Sequence, residues 1–285
     1  MNISELKKIL NKIKILKSKK NFVNHSLSEL RGLPSFNALM ELKFYNKPFF
    51  MLNIANDDAV VLKYLWKNKY ENLSLSIWFD LTRDDGIFFD IGSHTGIYSI
   101  IGNLEKSVNN IISIEAFYMN YARLLSNLKI NNISIKNAYL AAASNLDGVG
   151  KFNIPTNFSY HTSGGQLSDQ GSLSVPLIKV DNFKSDKAIK AIKIDTEGHE
   201  NKVLEGAKLT LENHKPDIIL EINKKSFDLC VKLLKPLNYS FYFIDENNNN
   251  LEEIYNYNEN LKRQEGSNCF ATVNSKTSLF LKKYL

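Results

Sequence analysis

The sequence predicts an α/β protein in which a mostly parallel sheet is covered by helices on both faces. Short, near-continuous apolar runs recur along the chain, as expected of strands that are buried on both sides. Helical stretches separate these runs, which is the rhythm of repeated β-α-β units. Hydrophobic residues make up 44% of the 285 residues, enough for a sizeable core. The turn signal Asp84-Asp85-Gly86 marks the point at which this pattern begins.

The apolar runs predict seven strands. Their ranges are 87–91, 111–114, 133–138, 188–194, 217–222, 239–244 and 270–273. Helical stretches are predicted at 120–130 and 202–213. A segment rich in Gly, Ser and Thr interrupts the pattern at 141–180, which predicts hairpins and a mobile loop beside the sheet. The asparagine run 247–250 predicts a solvated loop.

Residues 1–69 are predicted to form an N-terminal extension, and residues 70–285 the main domain. Apolar residues recur at helical spacing over 3–16 with lysines between them, which indicates an amphipathic helix. We expect this helix to pack on the domain or to serve homodimerisation or partner docking; attachment to an anionic membrane surface is the alternative. The extension continues with strands at 41–45 and 49–53 and a helix capped by Asp57 or Asp58; a second helix follows at about 71–81.

Composition and charge exclude several classes of protein. The net charge of +6 comes almost entirely from lysine, and no stripe of basic and aromatic residues stands out, so we expect no nucleic-acid partner. Cys230 and Cys269 lie far apart, which excludes a cysteine zinc site and a disulfide framework. The sequence shows neither a secretory segment nor about 18 uncharged apolar residues in a row. We therefore expect a cytoplasmic protein without a transmembrane segment.

The strongest local signal is the segment 88–99, FFDIGSHTGIYS. It reads as a buried strand that ends in Asp90, followed by a glycine turn and the start of a helix. Gly92 permits a tight turn and a close backbone approach, and Gly96 permits close packing of the helix. Ligands of open parallel sheets bind at the carboxyl ends of the strands. The pattern lacks the glycine triplet GxGxxG that cradles a pyrophosphate.

A second acid, Glu115, ends the next apolar strand. Carboxylates suit a cofactor that has ribose hydroxyls, an ammonium and a sulfonium but no phosphate. Asp90 and Glu115 therefore predict a site for S-adenosylmethionine. The alternative is that both acids only cap strand ends and that the glycines form an ordinary turn.

A second cluster of ionisable residues follows a later strand. The segment 191–200, AIKIDTEGHE, places Asp195, Glu197 and His199 at the carboxyl end of that strand, and Glu221 ends the next one. Because parallel strands share one carboxyl edge, we expect these side chains to converge beside Asp90.

These segments resemble the FkbM family of methyltransferases. The run IKIDTEGHENKVLEG at 192–206 resembles the signature of the family, and FFDIGSHTGIYS resembles its cofactor loop. KPDIILEIN at 215–223 resembles the next strand, and Tyr70-Glu71 fits an upstream acidic position. Glu115, Leu124, Asn127 and Asn131 match the strand and helix after the loop. The resemblance covers about 70–223, and more weakly extends to Asn268.

The resemblance implies a Rossmann-like class I methyltransferase fold that binds S-adenosylmethionine. Two departures concern the adenine pocket: Ala116 and Tyr118 stand where the family usually has prolines, and His94 stands where asparagine is common. The implied acceptor is a hydroxyl of a sugar, glycan or polyketide, and a capsule or lipopolysaccharide precursor in polysaccharide biosynthesis is the specific expectation. The cofactor-binding residues that we expect are Glu71, Asp90, Gly92, Ser93, His94, Gly96, Glu115 and Ala116.

Methyl transfer to an alcohol needs alignment and a base near the hydroxyl. His199 is the first candidate, because a histidine near a helix N-terminus is biased toward its neutral form. Asp195 would orient His199 or act as the base itself, and Glu197 and Glu221 are alternatives. A competing hypothesis is that Asp195 and Glu221 bind a divalent cation such as Mg²⁺ that lowers the pKa of the alcohol. His161, in the Gly/Ser loop, is a possible part of the acceptor pocket.

Two other functions compete with O-methylation. A methyltransferase of exocyclic amines in nucleic acids usually carries an (N/D)PPY motif, where this chain has DTEG. A non-catalytic Rossmann-like binding module would more often have lost either the Asp90 set or the Asp195 set.

Overall fold

The computed structural model describes residues 3–105, 110–154, 164–257, 268–274 and 278–285. The chain begins with the helices α1 (Ile3–Lys19) and α2 (Leu27–Arg31), followed by the antiparallel hairpin β1 (Ala38–Phe44) and β2 (Lys47–Asn53) and the helices α3 (Ala59–Lys67) and α4 (Asn72–Leu81). The predicted N-terminal helix, hairpin and following helices are confirmed. We refer to the elements from α1 to α3 as the N-terminal unit; the predicted boundary at residue 69 stays a prediction.

The N-terminal unit contains a small core of its own. Asp58 is the residue that caps α3, since its Oδ1 accepts from the backbone N–H groups of Val60 (2.8 Å) and Val61 (3.1 Å). Asp57 instead pairs with Arg123 at 2.7 Å. The buried apolar side chains of this core are Ile13, Phe22, Leu30, Phe36, Leu62 and Trp66.

The main sheet has eight strands in the described residues. Their ranges are β3 (Ile87–Ile91), β4 (Ile111–Glu115), β5 (Ala138–Leu140), β10 (Ile189–Ile194), β11 (Asp217–Glu221), β12 (Ser240–Asp245), β13 (Asn250–Glu253) and β14 (Asn268–Thr272). The order across the sheet is β13-β12-β14-β11-β10-β3-β4-β5. The run from β11 to β5 is parallel, whereas β14, β12 and β13 add antiparallel pairs. The predicted mostly parallel fold is confirmed, with one strand more than expected.

Helices cover both faces of this sheet. They are α5 (Ile97–Gly102), α6 (Tyr118–Ile130), α7 (Glu200–Glu205), α8 (Lys208–His214), α9 (Lys224–Leu234) and the short α10 (Leu279–Lys282). Neighbouring residues of β3 point to opposite faces, so Phe88 belongs to one hydrophobic cluster and Phe89 to the other. No helix in the described ranges has the length and apolar character needed to cross a membrane.

Asn127 on α6 and Asn131, the residue that caps the C-terminus of α6, bind the outer edge of β2. The side chain of Asn131 accepts from the N–H of Phe50 (2.8 Å) and donates to its carbonyl (2.7 Å). The Asn127 side chain accepts from the N–H of Leu52 at 3.0 Å and donates to the carbonyl of Thr95 at 2.8 Å. These side chains take the place of a neighbouring strand and join the hairpin to the loop after β3.

Three predicted elements are corrected. The strand predicted at 133–138 is wrong over most of its length, because Ile133 turns back to bond the carbonyl of Leu128 and β5 begins only at Ala138. The helix predicted at 202–213 is two helices, α7 and α8, because Asp181 caps the second through the N–H groups of Leu209 and Thr210. The asparagine run ends in β13 and is not a loop throughout.

The Gly/Ser/Thr-rich segment forms a small second sheet. Its strands are β6 (Ala142–Ala143), β7 (Gly148–Asn153), β8 (Gln166–Leu167) and β9 (Leu173–Ile178), in the order β6-β9-β7-β8. The predicted hairpins are confirmed by the antiparallel pairs of β7. The expected mobile loop and His161 fall on residues 155–163, which lie outside the described residues.

Candidate active site

A cleft of about 280 Å³ lies at the carboxyl edge of β3, β4, β10 and β11, near the small end of the range for ligand pockets. All but one of the predicted site residues line it. Gly96 does not; a Cβ there would lie 2.6 Å from the Leu124 side chain, so Gly96 serves the packing of α6. The predicted residues that line the cleft are Glu71, Asp90, Gly92, Ser93, His94, Glu115, Ala116, Asp195, Glu197, His199 and Glu221.

Asp90, near the end of β3, is a buried carboxylate with 2% of its surface exposed. Ser99 on α5 donates to Asp90 Oδ2 at 2.5 Å, and Ser113 lies 2.6 Å from the same hydroxyl. Burial raises the pKa of Asp90 to about 6, although the Ser99 hydrogen bond opposes the shift.

Glu115 ends β4, and both of its oxygens are held by backbone donors. The N–H of His94 donates to Oε2 and the N–H of Phe117 donates to Oε1, each at 2.8 Å. Burial raises the pKa of Glu115, although His94 and these donors oppose the shift. Each carboxylate oxygen has two lone pairs, so this fixed group can also accept from ligand hydroxyls.

The loop after β3 contacts the loop after β10, which carries Asp195, at Gly92. This residue has a φ of +75°, and a Cβ there would lie 1.7 Å from the carbonyl oxygen of Asp195. The N–H of Asp195 in turn donates to the carbonyl of Ile91 at 3.0 Å. The close approach expected at Gly92 is therefore an approach to the loop after β10.

One wall of the cleft is apolar. Phe117 and Phe152 stack with an interplanar angle of 14° and a centroid distance of 6.2 Å, and both line the cleft with Ala142 and Leu167. Such a wall, beside Glu115, suits a flat heteroaromatic ring attached to a ribose.

The turn after β10 is held by Glu200, which is fully buried. Its Oε1 accepts from the N–H groups of Thr196 (3.2 Å) and Gly198 (2.9 Å). Glu197 adopts a left-handed φ of +54°, and its Oε1 accepts from the N–H of Gly164 at 3.1 Å. Burial raises the pKa of Glu197, as does the nearby Asp195. Glu197 thus joins the turn to the small sheet while it lines the cleft.

Beneath the cleft lies a lysine that the sequence reasoning missed. The Lys193 side chain is 1% exposed, and its Nζ lies 3.3 Å from Asp195 Oδ2 and 3.2 Å from Asn268 Oδ1. It also lies 5.1 Å from the centroid of the Tyr98 ring. Burial opposes the charged form, but Asp195, followed by Glu71, raises the pKa of Lys193 above its ordinary value. The cleft therefore has a built-in positive charge beside Asp195.

Asp195 and Glu221 form a hydrogen-bonded carboxyl pair. The Asp195 charge and burial raise the pKa of Glu221 to about 10, so Glu221 holds a proton at neutral pH. Burial alone would raise the pKa of Asp195, but Lys193 and the bond from Glu221 lower it. Asp195 is the ionised member of the pair, and its side chain is 33% exposed.

His199 immediately precedes α7 and lines the cleft. Its Nε2 lies 3.0 Å from the hydroxyl of Ser144. Burial lowers the pKa of His199, and Lys202 lowers it further, which favours the neutral form. Its role as the base stays a prediction.

Glu71 reaches the same polar cluster from the start of α4. Its Oε2 accepts from the Tyr98 hydroxyl (2.7 Å) and from the Asn268 side chain (3.1 Å). The N-terminal unit also lines the cleft, which no sequence signal indicated. Its contributing residues are Leu27, Ala59, Val60 and Lys63.

The described side chains include no group of three or more His, Cys, Asp or Glu placed to hold a metal ion. Metal binding by Asp195 and Glu221 stays a prediction.

The chemistry of the cleft fits S-adenosylmethionine. Glu115 offers fixed acceptors for ribose hydroxyls, and the Phe117–Phe152 wall suits an adenine ring. Asp90 and the other carboxylates suit the positive sulfonium and ammonium groups. The donor set therefore favours this cofactor over a phosphate-bearing nucleotide.

The chain is similar, at low sequence identity, to several solved methyltransferases. A methyltransferase FkbM from Methylobacillus flagellatus KT is 14% identical, with a TM-score of 0.42, over 86% of this chain; the chain spans only 57% of that protein. A SAM-dependent O-methyltransferase from Thermotoga maritima is 10% identical, with a TM-score of 0.42, over 91% of this chain and 87% of that one. No curated protein sequence matches significantly.

A match to the sequence model of a family shows which family the chain belongs to. The sequence model of the "Methyltransferase FkbM domain" matches residues 90–255, which is more than half of the chain. The match begins after Tyr70-Glu71, later than expected, and it extends beyond Asn223 into the range of weaker resemblance that was expected to reach Asn268. It includes the cofactor loop, Glu115, the Asp195 turn and Glu221. The chain belongs to the FkbM family of S-adenosylmethionine-dependent methyltransferases.

Proposed function

We propose that this protein methylates a hydroxyl oxygen of a sugar or glycan, with a precursor of a capsule or lipopolysaccharide as the specific acceptor class. The observation that carries the proposal is the pairing of an ionised Asp195 with a protonated Glu221 in the cleft that fits the cofactor. A hydroxyl acceptor must lose a proton, and Asp195 is a charged acceptor for it.

In the proposed mechanism, Asp195 accepts the hydroxyl proton while Lys193 stabilises its charge from below the cleft. Glu221 donates a hydrogen bond to Asp195 and so orients the carboxylate. When bound, S-adenosylmethionine supplies an electrophilic methyl group for in-line displacement. Glu115 and the apolar wall fix the position of the cofactor relative to Asp195.

His199 is the second candidate for the base. Its lowered pKa suits proton acceptance near neutral pH, but its Nε2 contacts Ser144. We rank Asp195 first because its carboxylate is both ionised and partly exposed in the cleft. The alternative is that a Mg²⁺ ion bound by Asp195 and Glu221 lowers the pKa of the acceptor hydroxyl. Lys193 already supplies positive charge at that position.

The test is a methyl-transfer screen with purified protein and S-adenosylmethionine labelled in its methyl group. The acceptors are monosaccharides, nucleotide sugars, oligosaccharides, catechol and RNA, each with Mg²⁺ or with EDTA. We expect label in a sugar with Asp195-dependent turnover; transfer to RNA alone, or to no sugar, would contradict the proposal. Loss of the activity in EDTA, restored by Mg²⁺, would favour the metal-assisted mechanism.

A further inference from the structure

We propose that α1 docks the protein on an anionic membrane surface through its exposed lysines. The proposal goes beyond the proposed function, and it depends neither on the reaction nor on the identity of the acceptor. It concerns residues outside the family match at 90–255.

The first step is where the net charge of the chain lies. The side chains of α1 include six lysines and one glutamate, a net charge of +5 over 17 residues. The whole chain has a net charge of +6, so all the residues outside α1 together contribute +1. A charge asymmetry of this kind indicates a segment that binds a polyanionic surface.

The second step is the orientation of α1. Its apolar face packs in the core of the N-terminal unit, where Ile13 is 4% exposed. The Lys17 ammonium donates to the carbonyl of Leu65 at 2.7 Å and to Asn68 Oδ1 at 2.9 Å, which fixes α1 to α3. The fold therefore uses the apolar face of α1 and leaves the opposite face to solvent.

The third step is what this opposite face presents. Successive residues of a helix are about 100° apart around its axis, which places the five other lysines of α1 within an arc of about 160°. All five side chains are exposed. We call this arc the lysine face, and its lysines are Lys7, Lys8, Lys12, Lys14 and Lys19.

The fourth step is the choice of partner. α1 contains no arginine and no aromatic residue, the side chains that proteins use for bidentate phosphate contacts and base stacking on nucleic acids. Two apolar side chains instead stand beside the lysines: Leu10 is 39% exposed and Ile15 is 47% exposed. Lysines combined with exposed apolar side chains are typical of helices that lie on anionic membranes. A membrane of anionic lipids is therefore the partner that the lysine face fits.

Docking of this kind is peripheral and electrostatic. The main apolar face of α1 is packed in the fold, so only Leu10 and Ile15 enter the headgroup region while the lysines bind the lipid charges. Each lysine near such a surface strengthens binding about fivefold, and salt screens the attraction. The consequence is an enzyme held at a membrane surface, with no helix in the described residues able to cross the membrane.

The test is co-sedimentation of the full chain with vesicles of phosphatidylcholine, either alone or with about one-third phosphatidylglycerol. The face variant replaces four lysines with Gln, which removes the charge and keeps the helix propensity, and a second variant replaces the same four with Arg, which keeps the charge. These four are Lys7, Lys8, Lys12 and Lys14.

The matched control removes the same amount of charge elsewhere. Four exposed lysines outside α1 are replaced with Gln, so the control and the face variant have equal net charge. These four are Lys129, Lys136, Lys184 and Lys208. Circular dichroism checks that each variant keeps its helix content.

We expect the wild type to bind only the vesicles that contain phosphatidylglycerol, and to be released when salt is raised from about 0.1 M to about 0.5 M. The face variant should bind these vesicles at least about 100-fold more weakly. The Arg variant and the control should stay within about fivefold of the wild type, because each keeps the charge of the lysine face.

Equal losses in the face variant and the control would overturn the proposal, because net charge alone would then explain the binding. Failure of the wild type to bind either kind of vesicle would also overturn it. Binding of a labelled RNA in parallel anisotropy measurements, without vesicle binding, would assign the lysine face to nucleic acid instead. The assay needs no acceptor and no methyl transfer, so its result is separate from that of the acceptor screen.

Discussion

Two pairs of carboxyl groups stand side by side at the same edge of the sheet. Asp90 and Glu115 lie at the carboxyl ends of β3 and β4, whereas Asp195 follows β10 and Glu221 ends β11. The first pair accepts from neutral donors, a serine hydroxyl and two backbone N–H groups. In the second pair the two acids share a hydrogen bond, and Asp195 also lies 3.3 Å from the ammonium of Lys193.

Under the proposed function, this difference in partners separates cofactor binding from proton transfer. Neutral donors fix the first pair in place and leave its acceptor capacity for the cofactor. The charge of Lys193 instead sets which member of the second pair is ionised, and so which of them can take a proton. At one edge of a parallel sheet, the partners of each acid would thus decide whether it binds the cofactor or accepts a proton.

The largest expected effect is a loss of turnover, with little change in cofactor affinity, when Asp195 is replaced. Asp195→Asn should reduce turnover about 10³-fold, the usual contribution of a general base, and change affinity for S-adenosylhomocysteine by less than about threefold. Steady-state kinetics on the sugar found in the screen and calorimetry measure the two quantities. His199→Asn is the comparison variant, and a larger loss there than in Asp195→Asn would return His199 to first rank.

The next largest expected effect is a loss of stability when the contact between the loop after β3 and the loop after β10 is disturbed. Gly92→Ala should lower the free energy of unfolding by about 3 kcal/mol, because the residue has a positive φ and the new methyl would overlap the Asp195 carbonyl. Gly198→Ala is the matched control: its φ is +102°, but a Cβ there meets nothing within 4 Å, so about 1–2 kcal/mol is expected. Urea denaturation measures both, and equal losses would show that the overlap relaxes without cost.

Glu115→Ala tests the binding pair directly. Loss of a fixed carboxylate that accepts from ribose hydroxyls should weaken S-adenosylhomocysteine by about 100-fold, as for hydrogen bonds to a charged group. Calorimetry measures the affinity, with Glu205→Ala, a carboxylate outside the cleft, as the control. An affinity within threefold of the wild type would remove Glu115 from the cofactor site.

The smallest expected effect is the decrease in the free energy of unfolding, with rising pH, that the buried Asp90 side chain causes. Its folded-state pKa is raised to about 6 from 3.8, so stability from the bound proton is fully present below about pH 4 and is lost as the pH rises to about 6. Asp90→Asn has no such proton, so its stability relative to the wild type should increase by about 2 kcal/mol between pH 4.5 and pH 7. Urea denaturation at both values checks this, and a difference that does not vary with pH would contradict it.

Much of the site could be predicted because its signals are local. The strand before Asp90, the glycine turn, Glu115 and the acids after β10 each lie within a short segment, and a parallel sheet brings their carboxyl ends to one edge. The residue that caps α3 could be predicted to be either Asp57 or Asp58 for the same reason. What these signals specify is which residues stand at the edge, not what each one contacts there.

The missed features depend on contacts between distant parts of the chain. Lys193 stands in an apolar strand, and its burial depends on Asn268, which lies on β14. Its position two residues before Asp195 was the one available hint. Lys63 reaches the cleft only because α3 packs against the hairpin. The break between α7 and α8 likewise depends on Asp181, a residue outside the helical segment.

Asn127 on α6 and Asn131 at its C-cap have a consequence for aggregation. A two-stranded hairpin exposes rows of unpaired N–H and C=O groups, which are templates for pairing with another chain. Asn127 and Asn131 occupy those groups at Leu52 and Phe50, so the outer edge of β2 is blocked by side chains at these positions. Because Asn127 also holds the Thr95 carbonyl, the helix that protects this edge from intermolecular β-pairing is the helix that anchors the cofactor loop.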